Sequence, residues 1–280
     1  AALRPGLDFA PLTHINANEP GSGKTYLAQL ILAMAGLIET PPTPFPSDKE
    51  EMAKLLVAKA REGASALLFD NIDGPVIAHP PLCTLITHAR VGARLLGFNT
   101  SIDIAARMTV VTNGNQSALG LDLRRRGLTI ELDAKSETPS TREFKADPLE
   151  QMRHEGPRYT TAALTIVRAW IEAGRPHTPG AYLSGFRQWC DLVAQPLMWL
   201  GVRDAAAITA GAITQDDPQR ELLGALLPAA YAAFGSQPVK VKEIVNWFPP
   251  RPAQKPPGQV FGQAQGIAQP LPQGDEVADL

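Results

Sequence analysis

The sequence predicts an α/β fold, in which a parallel sheet with flanking helices is followed by a smaller all-helical section. Apolar runs without alternation, at residues 65–69 and 108–111, are typical of parallel strands buried on both faces. Amphipathic stretches of helical period lie between the strands, as expected of crossover helices. We divide the 280 residues into an α/β core (1–135), a linker (136–157), a helical section (158–248) and a disordered tail rich in Pro, Gly and Gln (249–280).

The core opens with a strand, a glycine-rich turn and a helix. The turn reads Pro20-Gly21-Ser22-Gly23-Lys24-Thr25 and lies between an alternating run that ends at Ala17 and a helical run at 26–36. Glycines let successive backbone amides point at one phosphate, and the helix start adds the positive end of its dipole. Lys24 would neutralise the terminal phosphates, and the Thr25 hydroxyl would hold Mg²⁺. The turn therefore predicts a phosphate-binding loop (P-loop) for a nucleoside triphosphate.

An extended linker and a helix separate this turn from the next strand. Ser47 and Glu50 form a capping-box pattern for a helix that runs to Arg61. The apolar run that follows ends in Asp70-Asn71. An acid at the carboxyl end of a central strand that follows a P-loop is expected to hold Mg²⁺ together with Thr25.

The rest of the core is predicted as a helix over Pro81–Leu96, a polar connection over 97–107 and two further strands over 108–113 and 128–132. Ligands of parallel sheets gather at the carboxyl ends of the strands. Asn113 and Asn115, which end the third strand, are therefore site candidates by position. Three arginines, Arg124 to Arg126, precede the fourth strand. They are consistent either with a solvated turn or with a phosphate-charge role.

The helical section shows apolar periodicity to Gly174, again over Ser184–Leu200, and from the Asp217-Pro218 cap onward, with a short helix over Lys242–Trp247. We expect three of its tryptophans to be core residues, at positions 170, 189 and 199. Polar, proline-containing residues 135–157 predict a linker or a long loop.

Composition limits the classes of function. With 26 basic and 28 acidic residues the net charge is −2, so no overall basic bias indicates nucleic-acid binding, although a few basic loops in a ring channel would suffice.

Cys83 and Cys190 lack a partner pattern and predict buried free thiols in a reducing, cytoplasmic compartment. The longest apolar stretch, Leu27 to Ile38, is too short to cross a membrane, and no membrane partner is expected. Because the chain starts at Ala1 without Met, we expect it to be a piece of a longer protein.

Taken together, these motifs resemble AAA+-like ATPase (helicase) domains of phage and mobile-element primase–helicase proteins. The resemblance covers most of residues 12–235. It is carried by Pro20–Thr25, Phe69–Asn71, Arg94–Gly97, Thr112–Asn115, Asp122–Arg126, Ala173–Pro176, Ser184–Trp189 and Pro196–Gly201.

The resemblance implies a hexameric, ATP- and Mg²⁺-dependent motor that acts on DNA, with single-stranded DNA as the expected substrate, in replication of a mobile element. It implies that Asn113 or Asn115 orients the attacking water, and that Arg125 and Arg126 reach the nucleotide of a neighbouring subunit. It also implies a DNA-contacting hairpin over 98–107 and an upstream primase-type domain.

Two residues depart from the family pattern. Many AAA+ proteins carry Glu, the general base, where this chain has Asn71, so Asp73, Glu19 or another subunit must accept the proton, or hydrolysis is slow. Asn18 stands where the P-loop has Gly, and Asn is the next-best residue for a left-handed backbone. Two alternatives to the motor therefore remain. One is an ATP-binding assembly module with weak hydrolysis, and the other, which we disfavour, is a small-molecule P-loop kinase.

Overall fold

A computed structural model of the chain describes residues 1–94, 101–135, 139, 146–180, 182–209, 218–240, 242–243 and 247. The chain divides into two compact units, Ala1–Asp217 and Pro218–Leu280. The boundary between the units lies within the predicted helical section. The predicted disordered tail lies outside the described residues.

The first unit contains a five-stranded sheet and a two-stranded hairpin. The strands are β1 (Leu12–Ala17), β2 (Pro42–Thr43), β3 (Ala66–Asp73), β4 (Arg90–Arg94), β5 (Ser101–Ala105), β6 (Thr109–Asn115) and β7 (Gly127–Leu132). The sheet has the order β2-β3-β6-β1-β7, and all of its strand pairs are parallel. The predicted α/β class with a parallel sheet is therefore confirmed.

Helices cover both faces of this sheet. They are α1 (Lys24–Ala33), α2 (Lys49–Arg61), α3 (Pro80–His88) and the short α4 (Leu121–Arg124). On β3, Leu67 and Phe69 join a large apolar cluster, whereas Leu68 joins a separate cluster that contains Leu32 of α1. These three side chains are at most 1% exposed, and full burial of each contributes about 1.5–3 kcal/mol to folding. The uninterrupted apolar run of β3 is thus explained by burial on both faces.

Two predicted helix boundaries in this core are wrong. The cap of α2 is Asp48, not Ser47, because the Asp48 carboxylate accepts hydrogen bonds from the amides of Glu50 and Glu51. The helix predicted over Pro81–Leu96 ends at His88, where Ala89 takes a left-handed conformation with φ 50°.

The segment after α3 forms an antiparallel hairpin of β4 and β5 instead of a helix and a polar connection. Arg90 and Asp103 join the two strands through hydrogen bonds of 2.7–3.0 Å. Residues 95–100, which separate β4 from β5 in the sequence, lie outside the described residues.

Helices also extend beyond the core, as α5 (Pro148–Glu172), α6 (Arg187–Trp189), a π-helical turn (Cys190–Ala194) and α7 (Gln195–Trp199). Residues 205–209 are helical as well. The prediction of a loop up to residue 157 is wrong from Pro148 onward, because Asp147 caps α5 and Pro157 lies inside the helix at an exposed position.

The predicted tryptophan core is confirmed only in part. Trp170 is buried and Trp189 packs against the large cluster, but Trp199 is 37% exposed. Both cysteines are buried and free, as predicted.

In the second unit, α8 (Pro218–Phe234) begins at the predicted proline. The predicted helix over Lys242–Trp247 is described only at residues 242, 243 and 247, which are helical. Within the described parts of the chain, no helix has both the length and the apolar character that a bilayer span requires.

Candidate active site

The predicted site residues other than Arg125 and Arg126 lie together where three neighbouring strands end. β6 lies between β1 and β3, and Asn115 pairs in register with Ala17 on one side and with Asp73 on the other. The glycine-rich turn follows β1 directly, so it projects from the same edge of the sheet as the acids of β3 and the amides of β6.

The turn has the backbone that its glycines permit. Gly21 and Gly23 are left-handed, with φ 71° and 95°, and Gly23 is the N-cap of α1 without a side-chain cap. The first amides of α1 are therefore available to an anion, and the positive end of the helix dipole lies beside them. Our explanation of Asn18 is wrong, because Asn18 is not among the described residues with positive φ. Pro20 is exposed at the start of the turn.

Lys24 folds back over this turn. Its ammonium donates to the Ser22 hydroxyl (3.1 Å), to the Glu19 carbonyl (3.3 Å) and to Asn115 Oδ1 (2.5 Å). The residue is only 8% exposed, and burial lowers the pKa of Lys24, which the charge of Asp70 partly opposes. All three acceptors are neutral, and in the described parts of the chain no carboxylate forms an ion pair with it. A buried cation held by neutral groups is suited to an anionic ligand.

Thr25 and Asp70 form the second contact across the site. The Thr25 hydroxyl donates to Asp70 Oδ1 at 2.8 Å, which joins the first turn of α1 to the end of β3. A hydroxyl and a carboxylate supply only oxygen atoms, the ligands that Mg²⁺ prefers, and Mg²⁺ held by one or two such groups usually keeps water and phosphate oxygens as its other ligands. These two residues fit the predicted metal.

The two asparagines of β6 contact different partners. Asn115, which is half-buried, contacts Lys24, whereas Asn113 is 1% exposed and its Oδ1 accepts from the backbone amide of Asn71 at 3.0 Å. Asn71 itself is exposed and left-handed, with φ 56°. A cleft of about 540 Å³ runs from Asp70 and Asn71 past Asp73 to Phe45.

Arg125 and Arg126 lie at the other end of the sheet. The Leu12 amide donates to the Arg126 carbonyl, so both arginines precede the amino ends of β1 and β7. Because β7 has six residues, they lie about 20 Å from the glycine-rich turn of their own chain. Both form ion pairs with Asp122, and the bond from Arg126 is the main cause that lowers the pKa of Asp122.

Cys83 contacts the same carboxylate at 3.6 Å. Burial is the main cause that raises the pKa of its thiol to about 11, so Cys83 is an unreactive thiol.

Sequence reasoning missed one pair of residues beside the site. The Tyr26 hydroxyl, next to Thr25, donates to the Asp147 carboxylate at 2.5 Å and accepts from the Leu149 amide at 2.9 Å. The contact joins α1 to the start of α5. The signal for it was present, since Asp147-Pro148 is the same cap pattern that predicts the start of α8.

Comparison with known proteins adds no assignment. No protein-family model matches the chain, and no curated protein matches its sequence. Its function is therefore inferred from the residues and the geometry of the site.

Proposed function

We propose that the chain binds ATP with Mg²⁺ at the carboxyl ends of β1, β3 and β6 and hydrolyses it. The observation that carries this proposal is the environment of Lys24. A buried ammonium with three neutral partners lies at a glycine-rich turn, at the start of a helix that has no side-chain cap. Triphosphate oxygens would supply the missing negative charge.

Each residue then has a chemical role. Lys24 would transfer its hydrogen bonds from Asn115 and the loop to the terminal phosphates. Thr25 and Asp70 would hold Mg²⁺, which neutralises charge that develops on the transferred phosphoryl group. Asn71 carries an amide that orients water by hydrogen bonds but accepts no proton. Asp73, at the same edge of the sheet, is the described carboxylate that we favour as the proton acceptor.

The motor function on DNA is the further part of the proposal. It is supported by the resemblance of the motifs and by the β4–β5 hairpin, whose second strand lies within residues 98–107, the segment where that resemblance implies a contact with DNA. A homohexamer with Arg125 or Arg126 acting in trans follows from the same resemblance. The alternative, an assembly module that binds ATP and hydrolyses it weakly, is favoured by Asn71 in place of the usual Glu.

Replacement of the buried cation tests nucleotide binding. Lys24→Ala should weaken ATP binding about tenfold to a hundredfold, as expected for the loss of hydrogen bonds from a charged donor. Lys54→Ala is the matched control, because Lys54 pairs with Glu51 on the surface of α2. Titration calorimetry with ATP and Mg²⁺ measures the ATP affinity of both variants. Equal affinities of the Lys24→Ala and wild-type chains would exclude the proposed site.

Single-stranded DNA separates the motor from the assembly module. A motor hydrolyses ATP faster when its track is present, whereas a module that only assembles does not respond. We expect steady-state ATP turnover to rise on addition of single-stranded DNA. Turnover that stays slow at every DNA concentration, with ATP binding intact, would favour the assembly module.

A further inference from the structure

β3 contains a bulge at the site. Phe69 pairs with Thr112 and Ile72 pairs with Gly114, so two residues of β3, Asp70 and Asn71, lie opposite the single residue Asn113 of β6. Such an insertion interrupts the ladder and redirects the side chains of the bulged strand. The backbone amide of the extra residue then needs another acceptor.

The side chain of Asn113 supplies that acceptor. Its Oδ1 accepts from the Asn71 amide at 3.0 Å, at the position where the ladder is interrupted. Asn71 has a left-handed backbone, which is unfavourable for most residues but tolerated by Asn. If the Asn113 amide were turned the other way, its NH₂ group would face the backbone N–H of Asn71, and two donors would meet. The oxygen of Asn113 must therefore face Asn71.

The nitrogen of the Asn113 amide, Nδ2, helps to show which atom of this side chain is required at the bulge. Asn113 Nδ2 is buried and has no hydrogen-bond partner among the described residues. An apolar residue of similar size would avoid this unpaired donor, whereas the bond from the Asn71 amide requires the oxygen. Asn113 is 1% exposed, so its side chain is covered by the protein. Asn115 is half-buried and contacts Lys24, so we assign the ligand-facing role to Asn115.

We propose that Asn113 is a positioning residue, which holds the Asp70–Asn71 bulge and thereby directs the Asp70 carboxylate toward Thr25. The inference rests on the proposed function, since the 2.8 Å contact between Thr25 and Asp70 marks the expected Mg²⁺ position. The bulge fixes where Asp70 points, and the Asn113 oxygen fixes the bulge. Metal affinity therefore depends on a side chain that does not touch the metal.

The first measurement needs neither metal nor nucleotide. Asn113→Leu removes the acceptor at similar volume, and hydrogen exchange of the Asn71 amide should become about tenfold faster or more. Asn113→Asp keeps an oxygen at the same place and should preserve the protection. Thr109→Val is the matched control on β6, because its buried hydroxyl has no partner among the described residues and lies at the other end of the strand.

The second measurement is Mg²⁺ affinity in the presence of a non-hydrolysable ATP analogue. Asn113→Leu should weaken Mg²⁺ binding about tenfold, with Thr109→Val unchanged. In an Asn71→Gly background, Asn113→Leu should weaken Mg²⁺ binding by less than about twofold, because Gly adopts the left-handed conformation without support. A purely structural role of Asn113 would give equal losses in both backgrounds.

The outcomes distinguish this inference from the proposed function. A wild-type chain that binds no Mg²⁺ with the analogue overturns the proposed function, while Asn71 exchange still tests the contact that holds the bulge. Unchanged exchange and unchanged Mg²⁺ affinity in Asn113→Leu overturn the positioning role. If Asn113→Leu does not fold, Asn113→Ala removes the acceptor with a smaller side chain and is judged by the same two readouts.

Discussion

Asn71 brings together an unusual side chain and an unusual backbone. Its amide replaces the carboxylate that serves as general base in the AAA+ proteins that the motifs resemble, and its φ of 56° favours Asn or Gly. We predict that Asn71→Glu hydrolyses ATP as fast as the wild-type chain or faster, because a general base contributes about 10² to 10⁴ in rate. The same change should lower the free energy of unfolding by about 1–2 kcal/mol, because Glu disfavours this backbone.

Steady-state turnover and urea denaturation measure the two effects separately. Asn71→Gly is the control, since it removes the amide and keeps the backbone conformation. A large loss of turnover in Asn71→Glu, with ATP binding intact, would show that the amide makes a contact that a carboxylate cannot replace.

His14 gives the fold a dependence on pH. Its ring is fully buried in β1 and contacts Thr112 Oγ1 (2.9 Å) and the Ser117 carbonyl (3.1 Å). Burial lowers the pKa of His14 below 6.5, which the hydrogen bonds to Ser117 and Thr112 partly oppose. The unfolded chain therefore binds this proton more readily than the folded chain. The stabilisation is present above about pH 6.5 and is lost as the pH falls toward the folded-state pKa.

We predict that His14→Gln reduces the slope of unfolding free energy against pH, by at most about 1.4 kcal/mol per pH unit. Urea denaturation between about pH 5 and pH 7.5 measures the slope. His154→Gln is the control, because the His154 side chain is 76% exposed on α5. Identical slopes in the wild-type and His14→Gln chains would assign the pH dependence to other groups.

Single residues also show how far sequence reasoning reaches. The order of the motifs along the chain predicted that Lys24, Thr25, Asp70 and Asn115 lie at one edge of the sheet, because the ends of strands are predictable from apolar runs. The different roles of Asn113 and Asn115 were not predictable. They depend on a bulge, and no apolar pattern reports which residue of β3 lies opposite which residue of β6.

At the scale of elements, Tyr26 connects the candidate site to the helical region. Its hydroxyl bonds both Asp147 and the Leu149 amide, at the first turn of α5. We predict that Tyr26→Phe destabilises this contact by about 0.5–1.5 kcal/mol and increases hydrogen exchange at the start of α5. Tyr159→Phe, within α5, is the matched control. Unchanged exchange over residues 149–151 would show that the Asp147 cap alone orders the helix start.

The helix that was predicted wrongly after α3 has a cause in tertiary structure. Residues 81–96 carry apolar side chains at helical spacing, yet the chain leaves the helix at Ala89 and forms a hairpin. Local spacing cannot report this change, because β4 is stabilised by pairing with β5, a strand about ten residues later. The central strands β3 and β6 were predictable because burial on both faces leaves an uninterrupted apolar run, whereas β1 was predicted from an alternating run before the glycine-rich turn.

At the scale of the whole molecule, the arginines and the glycine-rich turn lie at opposite ends of the sheet. If the chain hydrolyses ATP as proposed, an arginine of one chain would therefore contribute only at the site of another chain. We predict that Arg126→Ala retains ATP binding and loses about 10³ in turnover, the magnitude of arginine-finger removal. Arg158→Ala, on the surface of α5, is the control.

A mixing experiment tests the contribution in trans. Lys24→Ala and Arg126→Ala chains are each expected to lose turnover for a different reason, so their mixture should recover part of it. The mass of the assembly with and without ATP and single-stranded DNA accompanies the assay. No recovery after subunits have exchanged would mean that the site is complete within one chain.

The bulge in β3 reflects two opposing requirements on the same strand, namely stable pairing with β6 and the direction of the Asp70 side chain. A chain without Asn71 would let β3 pair with β6 without interruption, and an uninterrupted ladder is the more stable one. If stable folding were the only requirement, mutations that remove the bulge would therefore be favoured. The Asp70 side chain would then no longer point toward Thr25. If Asp70 holds Mg²⁺ as proposed, the extra residue between Asp70 and Ile72 indicates that the chemistry of the site, and not folding, decides the length of this strand.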